Sequence, residues 1–205
     1  MRLRTIFYWI LFSLTASTGS IWAQSDTSIV PLRSIDSTIA TDVRYATANN
    51  FTGKVLYPTA NVYLRKVVAE KLALVQKELV STHKLRLKVF DGYRPLSVQR
   101  KLWEIMPDSR YVANPKNGSR HNRGAAVDLT LIDSTGRELD MGTPYDDFTE
   151  KAHRNFDKLP AEVIENRKLL ENAMVKYGFE PLDTEWWHFD YSGWKNFSIL
   201  DYEIK

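Results

Sequence analysis

Apolar side chains recur through residues 61–80 at Leu64, Val67, Val68, Leu72, Val75 and Leu79, steps of about three and four that draw one stripe along a helix. Residues 85–90 change period: Leu85, Leu87 and Val89 alternate with Arg86 and Lys88 and stop at Asp91-Gly92, the pattern of a strand with one wet face. A shorter helix is expected over 97–105. Residues 125–132 alternate again, with Val127, Leu129 and Leu131 on one face and Ala126, Asp128 and Thr130 on the other. Residues 161–177 carry a second amphipathic helix through Ile164, Leu170, Ala173, Met174 and Tyr177, with Gly178 placed to end it. The aromatic run 185–191 sets Trp187, Phe189 and Tyr191 against Trp186, His188 and Asp190. Helices and strands mixed without a regular βαβ rhythm predict a single α+β domain, a central and mainly antiparallel sheet packed by helices.

The N-terminus follows another logic. Arg2 and Arg4 precede an apolar run from Ile6 to Leu14, and Ala23 offers a small residue before a polar stretch. That is the layout of a secretory signal peptide, residues 1–23, and the run is about half the roughly 20 residues that a membrane span needs. Residues 24–34, rich in Ser, Thr and Asp, read as a linker, which leaves 35–205 as the folded domain. The protein is therefore expected to be exported, to the periplasm, with no stable membrane insertion once the signal is cleaved.

Removing the signal changes the charge. The full chain of 205 residues has 28 Lys+Arg against 25 Asp+Glu, a net of +3. The first 23 residues hold two Arg and no acid, so the remaining 182 carry 26 basic and 25 acidic side chains, a net of +1. No basic stripe with interleaved aromatics appears, so a nucleic-acid partner is not expected. A mean hydropathy of −0.36 argues against a polytopic membrane protein. There is no cysteine. Disulfides, thiolate metal sites and a cysteine nucleophile are excluded, and any metal must sit on histidine and carboxylate.

Four histidines can be judged singly. His83 and His153 lie in polar stretches and read as solvated loop residues. His121 lies in SRHNRGAAVD, just before the strand that carries Asp128. On their own these two fit either a metal pair or a hydrogen-bonded turn. His188, in EWWHFD, supplies a third ligand of the type that hydrolytic zinc takes, leaving a fourth position for water. Glu185 would then be placed to act on that water, although in a regular strand Glu185 and His188 would face opposite ways. A bend, bulge or strand start near Glu185 or Trp186 is therefore expected. Arg94 follows the strand 85–90 in DGYRP, where the next proline restricts its backbone. It reads as either a surface ion pair or a cation beside a developing oxyanion.

Taken together, DGYRP, SRHNRGAAVD and EWWH resemble the zinc DD-peptidases, which include D-alanyl-D-alanine dipeptidases, D,D-carboxypeptidases and L-alanyl-D-glutamate endopeptidases, with the hedgehog signalling domain as a distant relative. Ser119, His121, Gly124, Ala126 and Asp128 match the pattern Ser-x-His-x-x-Gly-x-Ala-x-Asp. Within the group the chain looks most like the D-alanyl-D-alanine dipeptidases of the VanX type, through VRYATANNFTG (43–53), DGYRPLSVQRKLWEI (91–105) and MGTPYDDF (141–148). The resemblance implies one zinc ion on His121, Asp128 and His188 at one face of the sheet. It further implies Glu185 as catalytic acid and base on the water, Arg94 as transition-state stabiliser, and Ser119 and Asp146 near the ammonium of a small dipeptide, with Asp147 as a rival for Asp146. The implied activity is hydrolysis of D-alanyl-D-alanine in peptidoglycan precursor or turnover metabolism. The alternatives are a D,D-carboxypeptidase or an L-alanyl-D-glutamate endopeptidase acting on stem peptides, and a catalytically silent zinc-binding domain.

Overall fold

The computed structural model describes residues 28–205; the expected targeting signal lies outside them. The elements run β1 (Ile29–Pro31), α1 (Leu32–Ile35), β2 (Ala40–Thr41), β3 (Tyr63–Arg65), α2 (Lys66–His83), β4 (Arg86–Asp91), α3 (Leu96–Ile105), β5 (Ala126–Ile132), α4 (Ala161–Lys176), β6 (Phe179–Pro181) and β7 (His188–Tyr191). One sheet has the order β2-β4-β5-β7-β6, with β2 parallel to β4 and every other neighbour antiparallel; β1 and β3 form a separate pair. This is the expected α+β architecture. No helix among the described residues is long and apolar enough to cross a membrane.

Helix α2 buries Val68, Ala69, Leu72, Val75 and Leu79, the stripe read from its period, and packs on β4 and against α4. Each large side chain of that stripe contributes roughly 1.5–3 kcal/mol by leaving water. Gln76 is buried in the same face and is satisfied: its Nε2 donates to Thr38 O (3.2 Å) and its Oε1 accepts the Leu87 N–H (2.8 Å), tying the helix to β4. The helix ends on Lys84, left-handed at φ 58°, whose N–H bonds Leu79 O.

Two boundaries differ from the sequence reading. The helix expected over 61–80 begins only at Lys66, because residues 63–65 pair with β1 instead. Leu64, counted in the helical stripe, belongs to a strand. The supposed linker 24–34 carries β1 and the start of α1 from Ile29 on, and Leu32 is fully buried. A three-residue strand is too short to declare a period.

Register makes the site. Along β4 and β5, Val89 pairs with Leu129 and then Asp91 pairs with Asp128, so β4 advances two residues while β5 advances one. This bulge at Phe90 turns Asp91 to the face that carries Asp128; in a regular ladder Asp91 would share the face of Val89. On the other side of β5, Asp128 lies opposite His188 of β7. Asp91, Asp128 and His188 therefore form one row across three strands. Strand β5 is buried on both faces, consistent with its central place.

Helix α3 starts after Pro95, which brings no side-chain cap. Its first N–H groups are met from the far end of the chain: Leu96 N donates to Leu200 O (3.3 Å) and Ser97 N to Asp201 Oδ1 (2.7 Å). The segment 197–205 thereby braces the turn that carries Arg94.

Candidate metal centre and cleft

His121, Asp128 and His188 meet as the sequence reading expected. His121 Nε2 lies 3.2 Å from His188 Nδ1 and 3.4 Å from Asp128 Oδ1, and His188 Nδ1 lies 3.0 Å from Asp128 Oδ1. Metal–ligand bonds of about 2.0–2.1 Å in a tetrahedron require ligand atoms about 3.3 Å apart, so the three atoms fit one ion with a fourth position open. All three residues are buried. Two histidines and a carboxylate suit a borderline dication.

The rings are aimed by their outer nitrogens. His121 Nδ1 donates to Gly92 O (2.7 Å), which leaves Nε2 with a lone pair toward the trio. Gly92 has to be glycine, since a Cβ there would come within 2.9 Å of Tyr63 O. His121 itself opens a short 3-10 turn, 121–123, that ends on Gly124 at φ 67°, where a side chain would also strike Ile29. His188 Nε2 donates to Asp190 Oδ1 (2.9 Å), a carboxylate–histidine pair that leaves Nδ1 for the trio. Burial works against a protonated His188, but Asp190 and Asp128 outweigh it and lift the ring to about 10, so proton and metal compete for Nδ1. Burial likewise opposes ionisation of Asp128, yet the two histidines hold its carboxyl far below the usual range. Its second oxygen accepts the Tyr145 hydroxyl (3.0 Å).

Glu185 sits in the loop between β6 and β7, and the strand begins at His188, as the bend expected near Glu185 required. Free of strand alternation, Glu185 turns back to the trio, with Oε2 3.9 Å from His188 Nδ1. Burial raises its carboxyl to about 7 against the pull of His188. Arg154 clips this loop at both ends: Nε donates to Leu182 O (2.9 Å) and Nη2 to His188 O (2.9 Å), while Nη1 meets Glu171 (3.1 Å).

Arg94 is no surface ion pair. Its Nε and Nη2 both donate to Asp91 Oδ2 (3.0 and 2.7 Å), its Nη1 donates to Gln99 (3.0 Å), and its Cζ lies 5.1 Å from the Tyr45 ring centre. Asp91 is fixed in turn by the Tyr57 hydroxyl and the Gly92 N–H, both at 2.8 Å. Burial disfavours the Arg94 cation, but Asp91 and the surrounding tyrosines raise its pKa well above the ordinary value. Two of its five N–H groups are not spent on Asp91 or Gln99, and Nη2 lies 4.0 Å from Asp128 Oδ2.

These groups line a cleft of about 150 Å³, together with Tyr45, Phe51 and Asp146. That is well under the roughly 300–1,000 Å³ of pockets for drug-sized ligands. Asp146 adopts φ 61°, accepts the Tyr45 hydroxyl (3.3 and 3.4 Å) and the Phe51 N–H (3.5 Å), and is raised by burial to about 8, with Asp128 adding to the shift. Its rival Asp147 instead accepts the Thr149 N–H (2.8 Å). Ser119 does not line the cleft: its Oγ accepts the Asn122 N–H (3.2 Å) and its own N–H bonds Asn122 Oδ1 (2.6 Å), which shapes the His121 turn.

Of the other histidines, His83 is exposed, but His153 is half-buried with Nε2 enclosed, so the solvated reading of His153 is corrected. Asp91, Gln99, Tyr45, Tyr145 and Asp190 were not singled out from the sequence. Asp190 had a legible signal, two residues from His188 on the same strand face; Gln99 and Tyr45 had none beyond their motifs.

The peptidase M15 family profile described as D-ala-D-ala dipeptidase matches residues 25–199. The chain is 38% identical over 164 residues to the D-alanyl-D-alanine dipeptidase of Escherichia coli (strain K12), covering 80% of this chain and 84% of the relative. Its identity to the enzyme of that name from Enterococcus faecium is 33% over 172 residues, 72% of this chain and 83% of the relative. Among solved structures, the vancomycin-resistance D,D-dipeptidase VanXYg in complex with a D-Ala-D-Ala phosphinate analogue aligns at TM-score 0.40 and 26% identity, over 65% of this chain and 52% of that one. Matched by the family profile along most of its length and 38% identical to the Escherichia coli relative over the aligned residues, this chain belongs to the D-Ala-D-Ala dipeptidase family of M15 peptidases.

Proposed function

We propose that the protein hydrolyses D-alanyl-D-alanine to two molecules of D-alanine, with one zinc ion held by His121, Asp128 and His188. One observation carries the reading: Glu185, Arg94 and the His-Asp-His trio converge on one small cleft that also holds Asp146. Zinc, when bound there, acidifies water and polarises a carbonyl. Glu185 takes the proton of the attacking water and returns it to the leaving amine, and burial keeps its carboxyl near the neutral range where both steps are possible. Arg94 presents its two unspent N–H groups to the carbonyl oxygen as negative charge develops, an effect worth about 3 kcal/mol for one donor. Asp91 and Gln99 hold the guanidinium in place beforehand, so no reorganisation is needed when charge appears. Asp146, seated between Tyr45 and Phe51, accepts the substrate's ammonium. Ser119 supports the His121 turn. The arginine-led apolar segment at residues 1–23 supports action outside the cytoplasm, in the periplasm.

Offering D-Ala-D-Ala and N-acetyl-D-Ala-D-Ala in parallel, with and without a chelator, tests the reading. Cleavage of the free dipeptide, abolished by chelator and restored by zinc, is expected. Cleavage of the acylated peptide alone would make the protein a carboxypeptidase.

A further inference from the structure

A dipeptide is a zwitterion, and the reading above assigns a partner only to its ammonium. The cleft contains three arginines: Arg94, Arg110 and Arg120. Arg94 is committed to Asp91 and Gln99. Arg110 is largely exposed and spends both Nε and Nη2 on Asp108. Arg120 is different. Its Nε faces Asp190 Oδ2 at 3.4 Å, and its Cζ lies 4.7 Å from the Trp194 ring centre. One edge and one face of the guanidinium are thereby held, and among the described residues no other side-chain partner takes the outer fork of Nη1 and Nη2. That fork suits a carboxylate.

Its position also fits. Asp190 holds the outer nitrogen of His188, so Arg120 stands beyond the His188 side of the trio. Asp146 follows Tyr145, whose hydroxyl holds Asp128, and Asp146 and Arg120 line the same cleft as the trio. Arg123 and Lys195 add positive charge near Arg120, with charged groups 5.5 and 5.7 Å from the same Trp194 ring. The cleft thus offers a carboxylate in Asp146 and a guanidinium in Arg120 to the two charged ends of a dipeptide.

We propose that Arg120, positioned by Asp190 and Trp194, binds the C-terminal carboxylate of the substrate and so sets the requirement for a free carboxyl terminus. The inference rests on the hydrolytic reading of this cleft. It goes beyond that reading in assigning the carboxylate end, which also excludes peptides that continue past the second residue.

The test compares D-Ala-D-Ala with D-Ala-D-Ala amide, in the native chain and in Arg120→Ala and Arg120→Lys, each with its zinc content measured. The native enzyme should prefer the free acid. Arg120→Ala should raise KM for the free acid by about 10- to 100-fold, the range of a lost charge-assisted hydrogen bond, and leave the amide within about threefold with zinc retained. Arg120→Lys should recover part of the loss. Equal losses on acid and amide would show that Arg120 acts only by steadying Asp190 and His188, and no loss on either would remove it from the site. If the native chain cleaves only N-acetyl-D-Ala-D-Ala, the dipeptidase reading fails while the same acid–amide comparison on the acetylated pair still decides the role of Arg120. If it cleaves neither, calorimetric titration of the zinc-loaded native chain with D-Ala-D-Ala and its amide, against Arg120→Ala, decides it by binding, and equal affinity for the two ligands overturns the proposal.

Discussion

Asp190 Oδ1 accepts the Nε2 proton of His188 at 2.9 Å, from a position two residues along the same strand face. The bond fixes the tautomer that turns Nδ1 to the metal position. Asp190→Ala should weaken zinc binding by about 10- to 100-fold, the usual effect of removing such a partner. Competition with a chromogenic chelator would measure it, and an unchanged zinc affinity would refute the role.

Glu185 and His188 share the centre but should fail differently. Glu185→Gln should keep zinc and lose roughly 10²- to 10⁴-fold in kcat, the range for a general acid–base group. His188→Ala should lose both metal and turnover. Metal analysis beside dipeptide hydrolysis separates the two, and a fully active Glu185→Gln enzyme would falsify the mechanism.

Asp146 is held against ionisation by its burial. An unfolded Asp gives up its proton near pH 4, whereas burial holds the folded carboxyl to about 8. Between those values the folded state binds more protons, so this group lowers stability as pH rises. In the metal-free protein, Asp146→Asn should be more stable than the native chain at pH 8, on the order of a few kcal/mol, with the gap closing below pH 4. Denaturant unfolding at both pH values would show it, and a gap independent of pH contradicts the assignment. The same variant should bind a dipeptide less well.

Arg154 fastens both ends of the Glu185 loop through Leu182 O and His188 O. Arg154→Met should cost about 3 kcal/mol of stability, the lower end for breaking a buried ion pair, because Glu171 on the other side is partly exposed. Arg154→Met should also lower kcat by loosening the Glu185 loop, and Arg154→Lys, able to replace only one of the two carbonyl contacts, should recover less than half of that loss. Thermal unfolding with steady-state rates checks both.

Lys84 ends α2 in the left-handed region without being glycine. Relief of that strain, partly offset by greater freedom in the unfolded chain, should make Lys84→Gly more stable by about 0.5 kcal/mol. A lower unfolding midpoint would show that the Lys84 side chain matters more than its backbone.

The long helices and β5 were legible because each repeats a period for two turns or more, or for seven residues. The metal trio was legible because cysteine is absent and the motifs SRHNRGAAVD and EWWH carry their ligands at a strand start and within a strand. What escaped had no period to show. Strands β1 and β3 span three residues each and exist through pairing with one another. Ser119, expected near the substrate's ammonium, hydrogen-bonds Asn122 in the His121 turn, a direction that a motif of residue types does not give. Asp91 stayed hidden for a different reason, since simple alternation assigns it to the other face.

That last point extends beyond Asp91 itself. Strand β4 carries the Arg94 anchor only because its residues are counted with one extra at Phe90. Smoothing the bulge into a regular ladder with Phe90 kept would leave every side chain present and the sheet paired, yet turn Asp91 to the face of Val89 and away from Arg94. Deleting Phe90 would instead set Asp91 opposite Asp128 by plain alternation. The facing of the anchor thus depends on residue count and bulge together, and a relative one residue shorter here keeps the anchor on a straight strand.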